Sequence, residues 1–312
     1  MPGAYAHLSV VGSLSASNPL GKAPGFTSAA KAALLRNTCF CDLGAVSPDY
    51  PYLDILHSSA SAWADLMHYD KTGQMIKTGV EIVRGLKSNE QSKAFAWLLG
   101  YTSHVITDVT IHPIVELKVG PYAENKMRHR ECEMNQDAHI FPKELNVGPV
   151  GLSEYLDSGI RQCSVPGKRH KLDPVISGIW REMLKTCYPS QFQKNVPDID
   201  GWHKAFIETV DLAEESARLF PFARHAGVGL GLTYPLEDEI DPQYINALQT
   251  PHGPMSYDAI FARAKRNVLD TWSLIAAGVF KGDEAYKARI TDWNLDTGKD
   301  MNGELAFWRD AA

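Results

Sequence analysis

"AWLLGYTSHVITDVTIHPIV", residues 96–115, is apolar enough for a fully buried helix, yet it carries His104, Asp108 and His112 at a strict spacing of four. Positions four apart on a helix place their Cβ atoms about 5–6 Å from one another, so His104 with Asp108, or Asp108 with His112, can share one ion. His104 and His112 are eight residues apart, a rise of about 12 Å, which assigns them to different ions. Asp108 then sits between two positions, and its two oxygens suit it to bridge ions held roughly 3.5–4 Å apart, as in dimetal hydrolases. The alternative is three hydrogen-bonded core polar groups, but three ligand-type side chains in one register favour a polynuclear site. A transmembrane reading is excluded by the aspartate, which costs about 2.5–3.5 kcal/mol at the centre of a span. The stretch is a core helix of a soluble protein.

Outside this helix the chain has ordinary globular character. Its 312 residues suffice for a large core, and 44% hydrophobic with 22% charged residues excludes a disordered chain. The formal net charge of -6 gives no global basic footprint for nucleic acid or anionic lipid. The five cysteines are odd in number, and "CFC" (39–41) lacks the two-residue gap of a zinc knuckle or redox motif, so they read as reduced thiols. The opening "MPGAYAHLSVVGSLSAS" shows no positive region followed by an apolar core, which makes the cytoplasm the expected compartment.

Apolar residues recur at helical intervals in most segments, whereas sustained period-2 alternation is hard to find, so the fold class is all-α. The pattern predicts helices over 27–36, 57–69, 73–86, 89–112, 123–135, 151–163, 173–187, 201–220 and 256–280. Ser88 with Gln91 reads as a capping box at the start of the 89–112 helix, and Pro113 as its end or kink. Residues 1–222 are expected to form a multi-helix domain, and 223–312 a loop-rich C-terminal extension with one long helix packed on the same domain. "AGVGLGL" (226–232) lacks the glycine spacing and preceding strand of a nucleotide-binding loop.

A second series reinforces the first: "MRHRECEMNQDAHIF" (127–141) holds His129, Glu133 and Asp137, again four apart, with Asp137 the weakest member. With "YAH" (5–7), "LGAVSPDYPYLD" (43–54), "MHYD" (67–70), "SHVITDVTIHP" (103–113) and "HRECE" (129–133) in order, the chain resembles the zinc-dependent phospholipase C family. That family includes the bacterial phosphatidylcholine-type enzymes and the amino-terminal domain of glycosylphosphatidylinositol-specific phospholipase D. The likeness spans roughly residues 1–140 and implies a helical bundle of phospholipase C or zinc-nuclease type. It further implies two or three Zn2+ ions, one held by Asp49, His68, His104 and Asp108, a second by His112, His129 and Glu133, and a third sharing Asp108 with His7. Asp49 is implied either as ligand or as general base.

The resemblance and the residues together lead to a metal-dependent phosphodiesterase that acts on a phosphodiester small molecule or a phospholipid head group. Zinc suits such donors, since it takes neutral imidazole and carboxylate while keeping positions open for water. A nuclease or nucleotidase on the same cluster is the neighbouring reading, disfavoured by the acidic balance, and a non-hydrolytic enzyme or a metal-stabilised binding protein lies further off. His57, His139, His170, His203, His225 and His252 lack partners at ligand spacing and read as surface or capping histidines. Tyr50, Tyr52, Trp63 and Tyr69 flank the proposed ligands and read as packing before pocket lining.

Overall fold

The computed structural model describes residues 3–16, 20–21, 23–54, 57–150, 159–219 and 234–309. The architecture is all-α. The helices are α1 (Ala4–Ala16), α2 (Ser28–Leu35), α3 (Thr38–Val46), α4 (Tyr50–Leu53), α5 (Ser58–Tyr69), α6 (Thr72–Gly85), α7 (Ser88–Val119), α8 (Tyr122–Leu145), α9 (Pro174–Cys187), α10 (Pro189–Lys194), α11 (Ile199–Leu219), α12 (Tyr257–Lys281) and α13 (Ala285–Arg289). One antiparallel hairpin, β1 (Ser164–Val165) with β2 (Lys168–Leu172), pairs Ser164 with Leu172 and Val165 with Lys168. Among the described residues no helix is long and apolar enough to cross a membrane.

The stretch quoted at the outset is the axis of the bundle. Every residue of α7 from Ala94 to Val115 is buried, and α1, α2, α3, α6, α8, α9 and α12 all pack on it. A helix covered on all sides needs no polar face, which is why its sequence is apolar around the full turn. Three core tryptophans satisfy their indole N–H groups on neighbouring elements. Trp97 Nε1 donates to Ser47 Oγ, Trp272 Nε1 to the Leu99 carbonyl and Trp308 Nε1 to the Thr110 carbonyl. The five cysteines are free thiols.

Two expected ends of the central helix differ. Gln91 does not close a capping box with Ser88; its Nε2 donates to the Val83 and Arg84 carbonyls at the end of α6, whose last carbonyls lack intrahelical partners. Pro113 does not end α7, which runs on to Val119. Tertiary packing covers the break: Gly298, at φ +66, lies so close that a Cβ there would stand 2.3 Å from Pro113 Cγ and 2.6 Å from the Val109 carbonyl oxygen, the acceptor that proline leaves without its usual donor. α8 likewise outruns the expected 123–135, with Pro142 inside it. The expected 151–163 helix is described only from residue 159, where a helical turn leads to Cys163. The 226–232 glycines and His225 lie outside the described residues.

The α3–α7 crossing is close, and it sets the site. A Cβ on Gly100 would lie 1.9 Å from the Cys41 carbonyl oxygen, and one on Gly44 would lie 2.1 Å from the Trp97 carbonyl oxygen. Backbone meets backbone, and this brings the Ala45 carbonyl within 2.9 Å of His104 Nδ1. Gly100→Ala is therefore expected to cost about 3 kcal/mol, the upper end of overpacking penalties, or to prevent folding. Urea unfolding of the variant measures this, and a loss under about 1 kcal/mol would show that the crossing has slack.

Candidate metal centre

The site lies where α1, α3, α5, α7 and α8 converge. α7 brings His104, Asp108 and His112 to one stripe, and all three are buried. Asp108 Oδ2 faces His104 Nε2 at 3.2 Å, while Oδ1 faces His7 Nε2 at 3.2 Å and His112 Nε2 at 4.0 Å. The two oxygens of one carboxylate thus divide three imidazoles between them. From the turn after α3, Asp49 Oδ1 reaches His68 Nε2 at 3.2 Å and His104 Nε2 at 3.8 Å. His7, His104 and Asp108 form one set whose donor atoms lie within 4.8 Å of one another, and Asp49, His68 and His104 form another. Further along, Glu133 Oε1 stands 3.9 Å from both His112 Nε2 and His129 Nδ1. The eight candidate ligands therefore occupy one continuous cluster, with the Glu133 end more open than the other two.

Each candidate-ligand imidazole on α5, α7 and α8 is oriented by a backbone carbonyl on its far side. His68 Nδ1 donates to the Ala64 carbonyl (2.7 Å), His104 Nδ1 to Ala45 (2.9 Å), His112 Nδ1 to Leu295 (2.7 Å) and His129 Nε2 to Gly120 (2.6 Å). A carbonyl only accepts, so the nitrogen it touches carries the hydrogen, and in the neutral ring the other nitrogen turns its lone pair toward the carboxylates. Metal-bound histidines are held in this manner, which fixes tautomer and ring direction.

Whether zinc fits is decided by the polar atoms that the protein leaves without partners. Both oxygens of Asp108, Oδ1 of Asp49, Nε2 of His112 and both ring nitrogens of His7 are shut off from solvent with no hydrogen-bond partner. A buried carboxylate without compensation costs about 3–5 kcal/mol, so a cluster of this kind needs a positive charge at its centre. The donor set is imidazole and carboxylate, which divalent zinc takes at about 2.0–2.2 Å. The residues present fit zinc.

In the metal-free protein a proton takes part of that role. Burial opposes charge on His104, but Asp108 and Asp49 outweigh it and raise the imidazole to about 9. Burial would likewise push Asp108 up, yet the charged His104 beside it holds its carboxyl well below the usual range. Burial keeps His7 and His112 low, and so neutral. A histidine raised in the folded state contributes stability that is fully present below its unfolded value near 6.5 and is lost as pH climbs through about 9. Zinc requires deprotonated rings, so its stabilisation grows over the same range. The melting temperature of the chelator-treated protein is expected to fall between pH 6.5 and 9.5 by more than that of the zinc-loaded protein, and His104→Gln should flatten the difference. Parallel pH profiles for the two forms would contradict the assignment.

Asp137 has a different task from the one its register implied. Its carboxylate accepts the Tyr5 N–H (3.2 Å), the Ala6 N–H (2.8 Å) and the Tyr234 hydroxyl (3.2 Å), anchoring the first turn of α1 immediately before His7. Of the flanking aromatics, Tyr50 and Trp63 are core packing, while Tyr52 and Tyr69 stand beside His68 with ring centroids 5.4 and 6.1 Å away. His57, His139, His170 and His252 pair with Asp54, Asp258, Arg169 and the Trp308 carbonyl, away from the cluster. His203 is corrected from surface to core: it is fully buried on the inner face of α11, stacked on Tyr50 and within 2.9 Å of Ser164 Oγ. Sequence reasoning missed the four orienting carbonyls and Tyr122, which meets His129 edge-on at 5.3 Å. A backbone carbonyl leaves no mark in residue identity, so nothing in the sequence pointed to them.

No curated protein and no solved structure matches the chain. The family model described as zinc dependent phospholipase C matches residues 14–189, more than half of the sequence, and takes in Asp49, His68, His104, Asp108, His112, His129 and Glu133. His7 and everything after α9 begins to give way to α10 fall outside the match. With that match the chain belongs to the zinc-dependent phospholipase C family.

Proposed function

We propose that this protein hydrolyses phosphodiester bonds, in the manner of a phospholipase C, with two or three zinc ions held by His7, Asp49, His68, His104, Asp108, His112, His129 and Glu133. The observation that carries the reading is Asp108: a fully buried carboxylate, both oxygens without a hydrogen-bond partner, met by imidazole nitrogens from α1 and from both sides along α7. Zinc at such a site neutralises phosphate charge and brings the pKa of a bound water to about 7.

The protein's own groups supply the rest. The orienting carbonyls keep each ring in its binding tautomer, so no reorganisation is required when substrate arrives. Asp49 turns its buried Oδ1 to His68 and His104, yet its side chain is 19% exposed. It is thus the acid placed to act as a ligand on one side and to hold a proton at the substrate on the other. At the rim Tyr52 donates to Asp65 (2.8 Å) and Tyr69 to Asp296 (3.0 Å). Those two carboxylates oppose the repeated phosphates of a nucleic acid, which supports a small phosphodiester or a phospholipid head group over a polymer.

Side-by-side assay of the zinc-loaded protein on lecithin vesicles, a single-stranded oligonucleotide and bis-nitrophenyl phosphate tests this. Turnover of the first or third above the second is expected. A preference for the oligonucleotide would assign a nuclease, and no turnover of any phosphodiester would reject the hydrolase.

A further inference from the structure

The segment after α13 lies outside the family match, yet it backs the cluster. Leu295, fully buried, donates its N–H to the His68 carbonyl (3.0 Å) and accepts the Nδ1–H of His112 on its own carbonyl (2.7 Å). One residue thus ties the backbone of a histidine at one end of the cluster to the ring of a histidine toward the other.

Leu295 is itself held by a turn with several independent anchors. Asn294 Oδ1 accepts the N–H groups of Asp296 (3.1 Å) and Thr297 (3.0 Å) and the Thr297 hydroxyl (3.2 Å), and the Gly298 N–H returns to the Asn294 carbonyl (2.9 Å). On the preceding side, Thr72 Oγ1 donates to the Trp293 carbonyl (2.9 Å) and accepts the Trp293 N–H (2.8 Å), pinning the strand to the start of α6. On the following side, Gly298 seats the turn on α7 against Pro113, the residue after His112. These anchors fix the backbone on both sides of the carbonyl that meets the His112 ring.

We propose that the 293–298 turn is a positioning element for the metal centre: through the Leu295 carbonyl it fixes the tautomer and rotation of His112, and with them the affinity for the ion shared by His112, His129 and Glu133. This rests on the reading of the cluster as a zinc site. Asn294→Ala removes the three bonds that shape the turn, and Gly298→Ala forces a side chain into the Pro113 contact at a backbone conformation that favours glycine. Neither residue touches the candidate ligands.

The test is zinc titration of the metal-free full-length protein and of both variants against a competing chelator, with two-bond 15N–1H imidazole spectra reading the His112 tautomer. In the wild type the ring is expected as the Nδ1–H form. In Asn294→Ala and Gly298→Ala one ion should lose about 10- to 100-fold in affinity, at least one other should be unchanged, and the His112 tautomer should become mixed. If Gly298→Ala does not fold, Asn294→Ala carries the comparison alone. Unchanged affinities with an unchanged tautomer in a folded Asn294→Ala protein would overturn the inference while leaving the zinc reading intact. Failure of the wild type to take up zinc would overturn both.

Discussion

Asp108→Asn is expected to abolish the proposed hydrolysis and the proposed binding of ions through its carboxylate. The substitution keeps shape and volume but exchanges an anion for an amide, and an amide nitrogen does not ligate zinc. Removing several kcal/mol of charge stabilisation, at 1.36 kcal/mol per tenfold, corresponds to a rate loss of at least about 10^3. A second consequence separates loss of function from loss of fold. His104 owes its raised imidazole largely to Asp108, so in the metal-free variant that ring should titrate far lower than about 9 while the far-ultraviolet circular dichroism stays helical. Kinetic assay, metal analysis and histidine NMR on one preparation read all three. Full zinc content and normal turnover in Asp108→Asn would reject the mechanism.

Removal of metal is expected to have the second largest effect, on stability. A ligand that binds only the folded state adds about 4 kcal/mol at a free concentration one thousand times its dissociation constant. At about 2.1 cal/mol/K of unfolding entropy per residue, each kcal/mol moves the melting temperature of a chain this long by about 1.5 °C, so chelation should lower it by on the order of 5 °C. Zinc should restore it. The loss should be smaller in His7→Ala than in the wild type, because that variant begins with fewer ions to lose. The physical basis is the set of partnerless buried polar atoms around Asp108 and Asp49, which are costly to bury without a compensating charge. Differential scanning calorimetry with and without chelator measures the shift, and superimposable traces would show that the cluster is stable by itself.

The central helix was legible because two demands wrote themselves on the same residues. Burial made residues 96–115 apolar, and the chemistry set His104, Asp108 and His112 against that background at one helical period. α1 and α3 escaped periodicity because they are covered on nearly every side, leaving no polar face to alternate with an apolar one. His7 could therefore be placed only by resemblance. Asp137 shared the register of His129 and Glu133 but meets the start of α1, since position on a helical face says which way a side chain points and not what waits there. The helix end expected at Pro113 and the cap expected at Gln91 failed for the same reason: the outcome depended on Gly298 and on the end of α6, both remote in sequence. The Leu295 carbonyl was beyond reach altogether, because any residue type presents one.

The most direct test of the central claim is zinc-edge anomalous diffraction from crystals of the full chain grown with zinc. Two or three anomalous peaks are expected, with Asp108 within about 2.0–2.2 Å of at least two of them, Asp49, His68 and His104 around one, and His112, His129 and Glu133 around another. Absence of peaks at the cluster, or ions whose coordination leaves Asp108 out, would contradict the account.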